Sequence, residues 1–289
     1  MAGSVNTNVG AMTAVRLLGN TSRDLEALQG RISSGLKVAN AKDNGASYGI
    51  AQQQRSEVRA FEAVSQGLGR ATSAADVALA AGEAVSDVFV QMREKALAAT
   101  GTTISATSRT AYNDEFTALR DQVASILANA TFDGLNLLAG SILGPPPNDV
   151  SFPASTDGLQ VVTLPILDFN LAVSPTTWGG PPGIYVDTSQ DLTSDVNAQD
   201  ALAKITVSLD YINQELSRLG TAAKRIDSHM NFVSRLSDSI VEGIGNIVDA
   251  NLASDSARLQ ALQVKQQIGT QALSIANQAP QTLLSLLRS

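Results

Sequence analysis

The chain has 289 residues, a formal net charge of −7 and a pI near 4.7, with only 4% aromatic and 16% charged residues and no cysteine. An acidic chain without a long Lys/Arg run lacks the concentrated basic face that phosphate backbones require, and the absence of thiols excludes disulfides, Cys-based metal sites and thiol catalysis. A core built from Leu, Ile, Val and Ala suits long packed helices rather than an aromatic-lined ligand pocket.

The start, Met1 to Gly10, has neither a basic stretch nor an apolar run, so no cleavable signal peptide is expected, and no apolar run approaches the length of a bilayer span. A first helix is predicted from Val5 to Ser33, with Val5, Val9 and Met12 on one stripe and Leu18, Leu25, Leu28 and Ile32 continuing it after a register change near Gly19. Polar interruptions make it weakly amphipathic, so packing against partners should order it. Gly35 is placed to cap it in the left-handed region, and Ala41–Gly45 reads as a turn in which Asn and Gly tolerate positive φ and Asp bonds its own backbone.

From Tyr48 the helical pattern resumes. Phe61, Val64, Leu68, Ala71, Ala75, Ala78, Gly82, Val85, Phe89, Met92, Ala96 and Ala99 follow alternating steps of three and four, with every charge off the stripe. That spacing averages 3.5 residues, the repeat that keeps a narrow seam against a partner helix. The small residues between Ala71 and Gly82 should let another backbone approach closely. Gly101 ends the helix, Ser108 is the expected N-cap of the next, and Tyr112, Phe116, Leu119, Val123 and Ile126 give that helix its stripe before a turn at Thr131–Gly134.

Residues 144–195 differ in kind, being punctuated by prolines and glycines that exclude long helices. Leu159–Leu164 and Ile184–Val186 are predicted as short strands in a small β and loop excursion, which Trp178 should anchor. A second long seam follows, broken only by Ser237: Leu202, Ile205, Leu209, Ile212, Leu216, Leu219, Ala223, Ile226, Met230, Val233, Ser237, Ile240, Ile244 and Ile247. Such a helix is roughly 65–70 Å long and needs an equally long partner, which the 61–99 stripe supplies. After a break at Asp249–Leu252, the last segment carries Ala257, Ala261, Val264, Ile268, Ala272, Ile275 and Ala279 on one stripe, with Leu259, Leu262 and Leu273 to its side. A helix apolar on more than one side must be covered on more than one side, so other subunits are expected to cover it.

The fold expected is therefore mainly α: a long antiparallel helical coiled-coil bundle with a small β/loop excursion in the middle. Its parts are an inner terminal helix (1–40), rod helices (41–143), the excursion (144–195), a second rod helix (196–248) and a C-terminal inner helix (249–289).

Ser4-Val-Asn-Thr-Asn-Val9, Arg31-Ile-Ser-Ser-Gly-Leu36, Ala41-Lys-Asp43 and Phe132-Asp-Gly134 resemble the N-terminal signature of bacterial flagellins. Gln266 to Leu273 and Ala276 to Leu287 resemble their C-terminal signature, and the closing residues look most like alphaproteobacterial flagellins of stalked-bacterium type. The resemblance implies a self-assembling subunit of the flagellar filament, exported unfolded by a type III system and polymerised through its terminal helices. Implied partners are identical or paralogous subunits, an export chaperone at the C-terminal helix, and the filament cap and hook-junction proteins, with no nucleic acid, no membrane insertion and no cofactor. The implied location is the extracellular filament.

Under this reading Val5, Val9, Leu25, Leu28, Ile32, Val264, Ile268, Ile275, Leu283 and Leu286 are expected at the polymerisation interface. The family's innate-receptor epitope maps onto Phe89 to Ala99, where Gln91 and Lys95 depart from the recognised pattern and imply weak activation. Thr102, Thr103, Thr107, Ser174, Thr176, Thr177, Thr188 and Ser189 are loop candidates for O-glycosylation. A hook–filament junction protein is the alternative within the superfamily, and a surface adhesin module the alternative from another class. Nothing resembles a catalytic set: a single histidine, His229, reads as a helix-surface residue, and Asp187, Asp191 and Asp195 read as capping or solvated groups rather than a cation site.

Overall fold

The computed structural model describes residues 7–139, 149–169, 171 and 183–288, with side chains described as far as residue 278. Within them lie five helices, α1 (Val9–Ser34), α2 (Gly45–Ala99), α3 (Ala106–Asn129), α4 (Asp195–Val248) and α5 (Leu252–Arg288), and two strands, β1 (Val150–Pro153) and β2 (Val161–Leu164). The chain divides into two compact units, Met1–Val58 with Asp238–Ser289 and Arg59–Ser237. The mainly helical class with a small β excursion is thus as the sequence predicts.

In the first unit α1 begins at Val9 because the Asn8 side chain accepts from the Ala11 N–H, closing the helix start. It ends where Gly35 turns left-handed (φ 72°) and returns its N–H to Arg31, as expected of a C-cap glycine. The following turn keeps the expected Asp bond to the local backbone but not the positive φ. No residue of Ala41–Gly45 has positive φ; the Asp43 carboxylate accepts from the N–H groups of Ala39 and Asn40, and Asn44 caps the start of α2 through Ser47. This turn is stitched to the break between α4 and α5: Lys37 and Val38 donate to Val248, and Ala250 donates to Gly35. Val38, Ala51, Ile244 and Val248 form a small buried core there, with Leu36, Tyr48, Val58, Ile240 and Ile247 packed against it.

In the second unit all twelve α2 seam residues from Phe61 to Ala99 are buried. On α4, Ile205, Leu209, Ile212, Leu219, Ala223, Ile226 and Val233 are buried, while Leu202 and Leu216 are half-buried. Gly82 faces Leu216, and Ser86 meets Asn213, so the two helices run antiparallel with the close approach falling at Gly82. α3 folds back along α2, tied by Lys95 to Glu115 (2.7 Å) and by Arg70 to Asp133. Its N-cap is Ser105, not Ser108: the Ser105 hydroxyl accepts from the Ser108 N–H, so the helix opens one turn earlier. The Phe132–Leu135 turn is closed by reciprocal hydrogen bonds with positive φ at Asp133 and Gly134, the conformation that Asp-Gly favours.

β1 and β2 pair antiparallel with Val150 opposite Leu164 and Phe152 opposite Val162. β1 carries no period-two signal strong enough to announce it, and Pro153 is tolerated because it ends an edge strand. Ile184–Val186, expected as a strand, is not one. Its Tyr185 N–H donates to the Ser208 hydroxyl on α4, and Ile184 and Val186 are buried, so a side chain rather than a neighbouring strand satisfies the backbone. Trp178 lies outside the described residues.

Candidate assembly surface

α1 and α5 run antiparallel along one another. The Asn8 amide donates to the Ala276 carbonyl (2.6 Å), Gly269 faces Leu18, Gln266 reaches Ser22, and Leu36 bridges Asp249. On α1 the residues turned inward are Ala11, Ala14, Leu18, Thr21, Leu25, Leu28 and Ile32, and only Thr21 and Leu28 are fully buried. On α5 the matching series is Asp255, Leu259, Leu262, Gln266, Gly269, Leu273 and Ala276, again at steps of four and three. Both helices therefore spend one heptad seam on each other.

What remains uncovered is apolar on both helices, scattered round the first half of α1 and gathered in one row on α5. Val9, Met12, Val15 and Leu17 of α1 are more than half exposed, and on α5 Val264, Ile268 and Ile275 are 54%, 60% and 68% exposed. These are the residues of the Ala257–Ile275 stripe; α1 covers the Leu259, Leu262 and Leu273 side instead. Of the ten residues expected at an intermolecular interface, Val9, Val264, Ile268 and Ile275 stand open. Leu25, Leu28 and Ile32 lie on the α1–α5 seam within the chain, with Leu28 and Leu262 lining one groove. Val5 and the side chains of Leu283 and Leu286 fall outside the described residues.

The remaining polar residues act as structural ties. His229, read as a plain surface residue, is half-buried: its Nε2 lies 2.7 Å from the Ala154 carbonyl and its ring tilts against Phe232, joining α4 to the turn after β1. Asp187 accepts from the Ser189 N–H and hydroxyl, and Asp191 accepts from Thr193 and the Asn197 amide (2.6 Å), so two of the three aspartates build turns leading into α4. Burial pushes the Asp191 carboxyl up, but hydrogen bonds from Asn197 and Thr193 outweigh it and hold the group below its ordinary range. Among the described residues no cluster of His, Asp and Glu is arranged to hold a metal ion.

Arg109 escaped sequence reasoning. Its guanidinium donates to the Ala99 carbonyl and to the Gly101 carbonyl (3.0 Å), satisfying orphan acceptors at the end of α2 from ten residues downstream. A cation placed shortly after a helix stop was the available signal. Of the O-glycosylation candidates, Thr102 and Thr103 are exposed in the α2–α3 turn and Thr188 and Ser189 in the turn before α4. Thr107 is exposed but lies in the first turn of α3, because the helix opens at Ala106, and Ser174, Thr176 and Thr177 lie outside the described residues.

The terminal helices pair with one another and leave a row of apolar side chains open on α5, the kind of exposed patch that marks interaction surfaces in general. The family profile described as the bacterial flagellin N-terminal helical region matches residues 5–142, and that of the C-terminal helical region matches residues 202–287. The chain is 40% identical over 285 residues to flagellins FljO and FljK of Caulobacter vibrioides, covering 99% of this chain and 98% of each. It is 33% identical over 291 residues to a flagellin of Brucella melitensis, covering 99% of both. A crystal structure of Bacillus cereus flagellin aligns over 58% of this chain and 88% of its own at 22% identity, with a TM-score of 0.48. The chain belongs to the bacterial flagellin family of filament structural proteins. Among the described residues no helix is long and apolar enough to cross a membrane.

Proposed function

We propose that this chain builds the flagellar filament by packing the open faces of α1 and α5 between neighbouring copies. The exposed row Val264, Ile268 and Ile275 carries the reading, since a helix pair that leaves such an apolar row uncovered is marginal alone. Burial between subunits contributes roughly 25 cal/mol per Å2 of apolar surface, summed over several neighbours. Residues 1–40 and 249–289 form the inner layer, 41–143 and 196–248 the surrounding rods, and 144–195 the outward excursion.

Several family-level features belong to the same reading. The subunit reaches the extracellular filament through type III export in an unfolded state, with a chaperone holding the C-terminal helix and the cap and hook-junction proteins as later partners. Full-length similarity to several flagellins of one organism supports co-assembly with paralogues. Similarity over 98% of relatives named flagellin favours a repeated filament subunit over a junction protein or an adhesin. Thr102, Thr103, Thr107, Thr188 and Ser189, exposed at turns or a helix start, are the O-glycosylation candidates that remain.

Seeding purified chain with filament fragments, beside Ile268→Glu and a chain ending at Ala250, tests this. The full chain should form long filaments, and both variants should stay as folded monomers. Filaments of Ile268→Glu at the yield of the unchanged chain would sink the proposal.

A further inference from the structure

Two further ridges of the Arg59–Ser237 unit are organised at heptad steps and stay exposed, the hairpin meeting one of them at Arg225. On α2, Asp76, Ala80, Glu83, Asp87, Val90, Glu94 and Leu97 alternate at four and three and are all exposed, Val90 and Leu97 included. On α4, Arg218, Thr221, Arg225, Ser228, Phe232 and Arg235 do the same, with Lys224 beside them. At about 1.5 Å per residue the ridges are roughly 32 and 26 Å long. One carries four carboxylates and two open aliphatic side chains. The other carries four cations and an open Phe232, continued by the exposed Leu159 and Val161 of the hairpin, and Val161 lines a cleft with Arg225, His229 and Phe232 of α4.

The charges on these ridges are largely unspent. Among the described residues Asp76, Glu83, Asp87, Glu94, Lys224 and Arg235 form no ion pair. Arg218 meets Glu215 at 3.4 Å, and Arg225 holds the Thr163 carbonyl of β2 at 3.0 Å. Arg93 flanks the acidic ridge and Asp227 the basic one, and each ridge keeps its sign. A chain of net charge −7 repels its own copies, so a polymer of it gains from segregating charge into faces that attract.

We propose that the acidic ridge of α2 in one copy docks on the basic ridge of α4 and its hairpin in the next, with Val90 and Leu97 against Phe232 and Val161. The contact joins two different patches, the kind of interface that generates an open helix rather than a closed dimer. It rests on the filament reading and adds a lateral, charge-specified contact remote in sequence from α1 and α5. Because both ridges are exposed, salt screens the contact, and its strength falls as ionic strength rises.

Three full-length variants test it by critical concentration for seeded growth, with circular dichroism confirming folded monomers. Glu83→Lys with Asp87→Lys and Glu94→Lys reverses one ridge. Arg218→Glu with Lys224→Glu and Arg235→Glu reverses the other, leaving Arg225 to hold the hairpin. The third variant combines all six. Each single-ridge reversal should raise the critical concentration at low salt by about tenfold or more, and the combination should bring it back within about threefold of the unchanged chain. Reversals without effect overturn the proposal, and so does a combination that stays as impaired as its parents, since the partner face is then something else. Failure of the unchanged chain to polymerise under seeding would instead count against the filament reading itself.

Discussion

Gly82 and Leu216 meet so closely that a methyl group built on Gly82 would overlap the Leu216 Cδ2 atom, with Phe169 also in contact range. The approach of α2 to α4 is therefore set by a missing side chain. Gly82→Ala should be nearly neutral, because Leu216 can swing aside and alanine regains about 1 kcal/mol of helix propensity. Gly82→Leu has no such escape between Leu216 and Phe169 and should destabilise the unit by about 1–3 kcal/mol. Thermal denaturation of the two variants checks the contrast; equal melting points would show that the helices are not held at this distance.

Arg109 closes α2 from the start of α3. Arg109→Ala leaves the Ala99 and Gly101 carbonyls short of a charged donor and should cost about 1.5–3 kcal/mol. Arg109→Lys should recover less than half of this, since one ammonium cannot reproduce the two-pronged geometry. Denaturant midpoints read the difference, and an alanine variant as stable as the parent chain removes the clamp from the account.

Leu28 and Ile268 separate the two faces of the terminal pair. Leu28 is 6% exposed and Ile268 60%, so only the first is spent within the chain. Leu28→Ala should loosen α1 from α5 by about 2–3 kcal/mol, seen as faster amide exchange in free monomer. Ile268→Ala should leave monomer exchange unchanged. Identical exchange patterns for both would erase the distinction between an internal seam and an open face.

Asp191 gives an acid dependence with a definite sign. Its folded-state pKa lies below the ordinary carboxylate value of about 3.9, because Asn197 and Thr193 donate to the ionised form. The resulting stability is fully present above about pH 4 and is lost as pH falls through the folded pKa. Asp191→Asn should flatten this part of the acid limb of stability against pH, while leaving the limb above about pH 5 parallel to that of the parent. An acid limb unaltered below pH 4 would contradict the assignment.

Lys95 is held to Glu115 and Gln91 is exposed, both within the stretch that resembles the family's innate-receptor epitope. The hydrogen bond to Glu115 and its charge raise the Lys95 pKa above the usual lysine value, so it stays cationic at neutral pH. Receptor activation should be weak, and Gln91→Arg with Lys95→Leu should raise it. A reporter-cell dose–response separates the outcomes, with picomolar-to-nanomolar activation by the unchanged chain contradicting the prediction.

The heptads from Phe61 to Ala99 and Leu202 to Ile247 were legible because a 3.5-residue apolar repeat has few other ways to be buried. Gly35 and Asp133-Gly134 announced their turns through backbone conformations that few residues adopt. The strands were harder. Four residues carry little periodic signal, and Ile184–Val186 failed as a strand because Ser208, 23 residues away, supplied the hydrogen bond.

The sequence by itself determined the long antiparallel helices, a stretch of small residues from Ala71 to Gly82 where a partner can come close, and the surplus apolar surface of the last helix. It could do so because hydrophobic period and glycine chemistry are local properties. Only the tertiary structure decided which apolar face of α5 meets α1, placing Leu262 inward and Ile268 outward, and which cation closes α2. Both faces of α5 are apolar, so period alone leaves the choice degenerate, and it is fixed by the phase at which two distant helices come together.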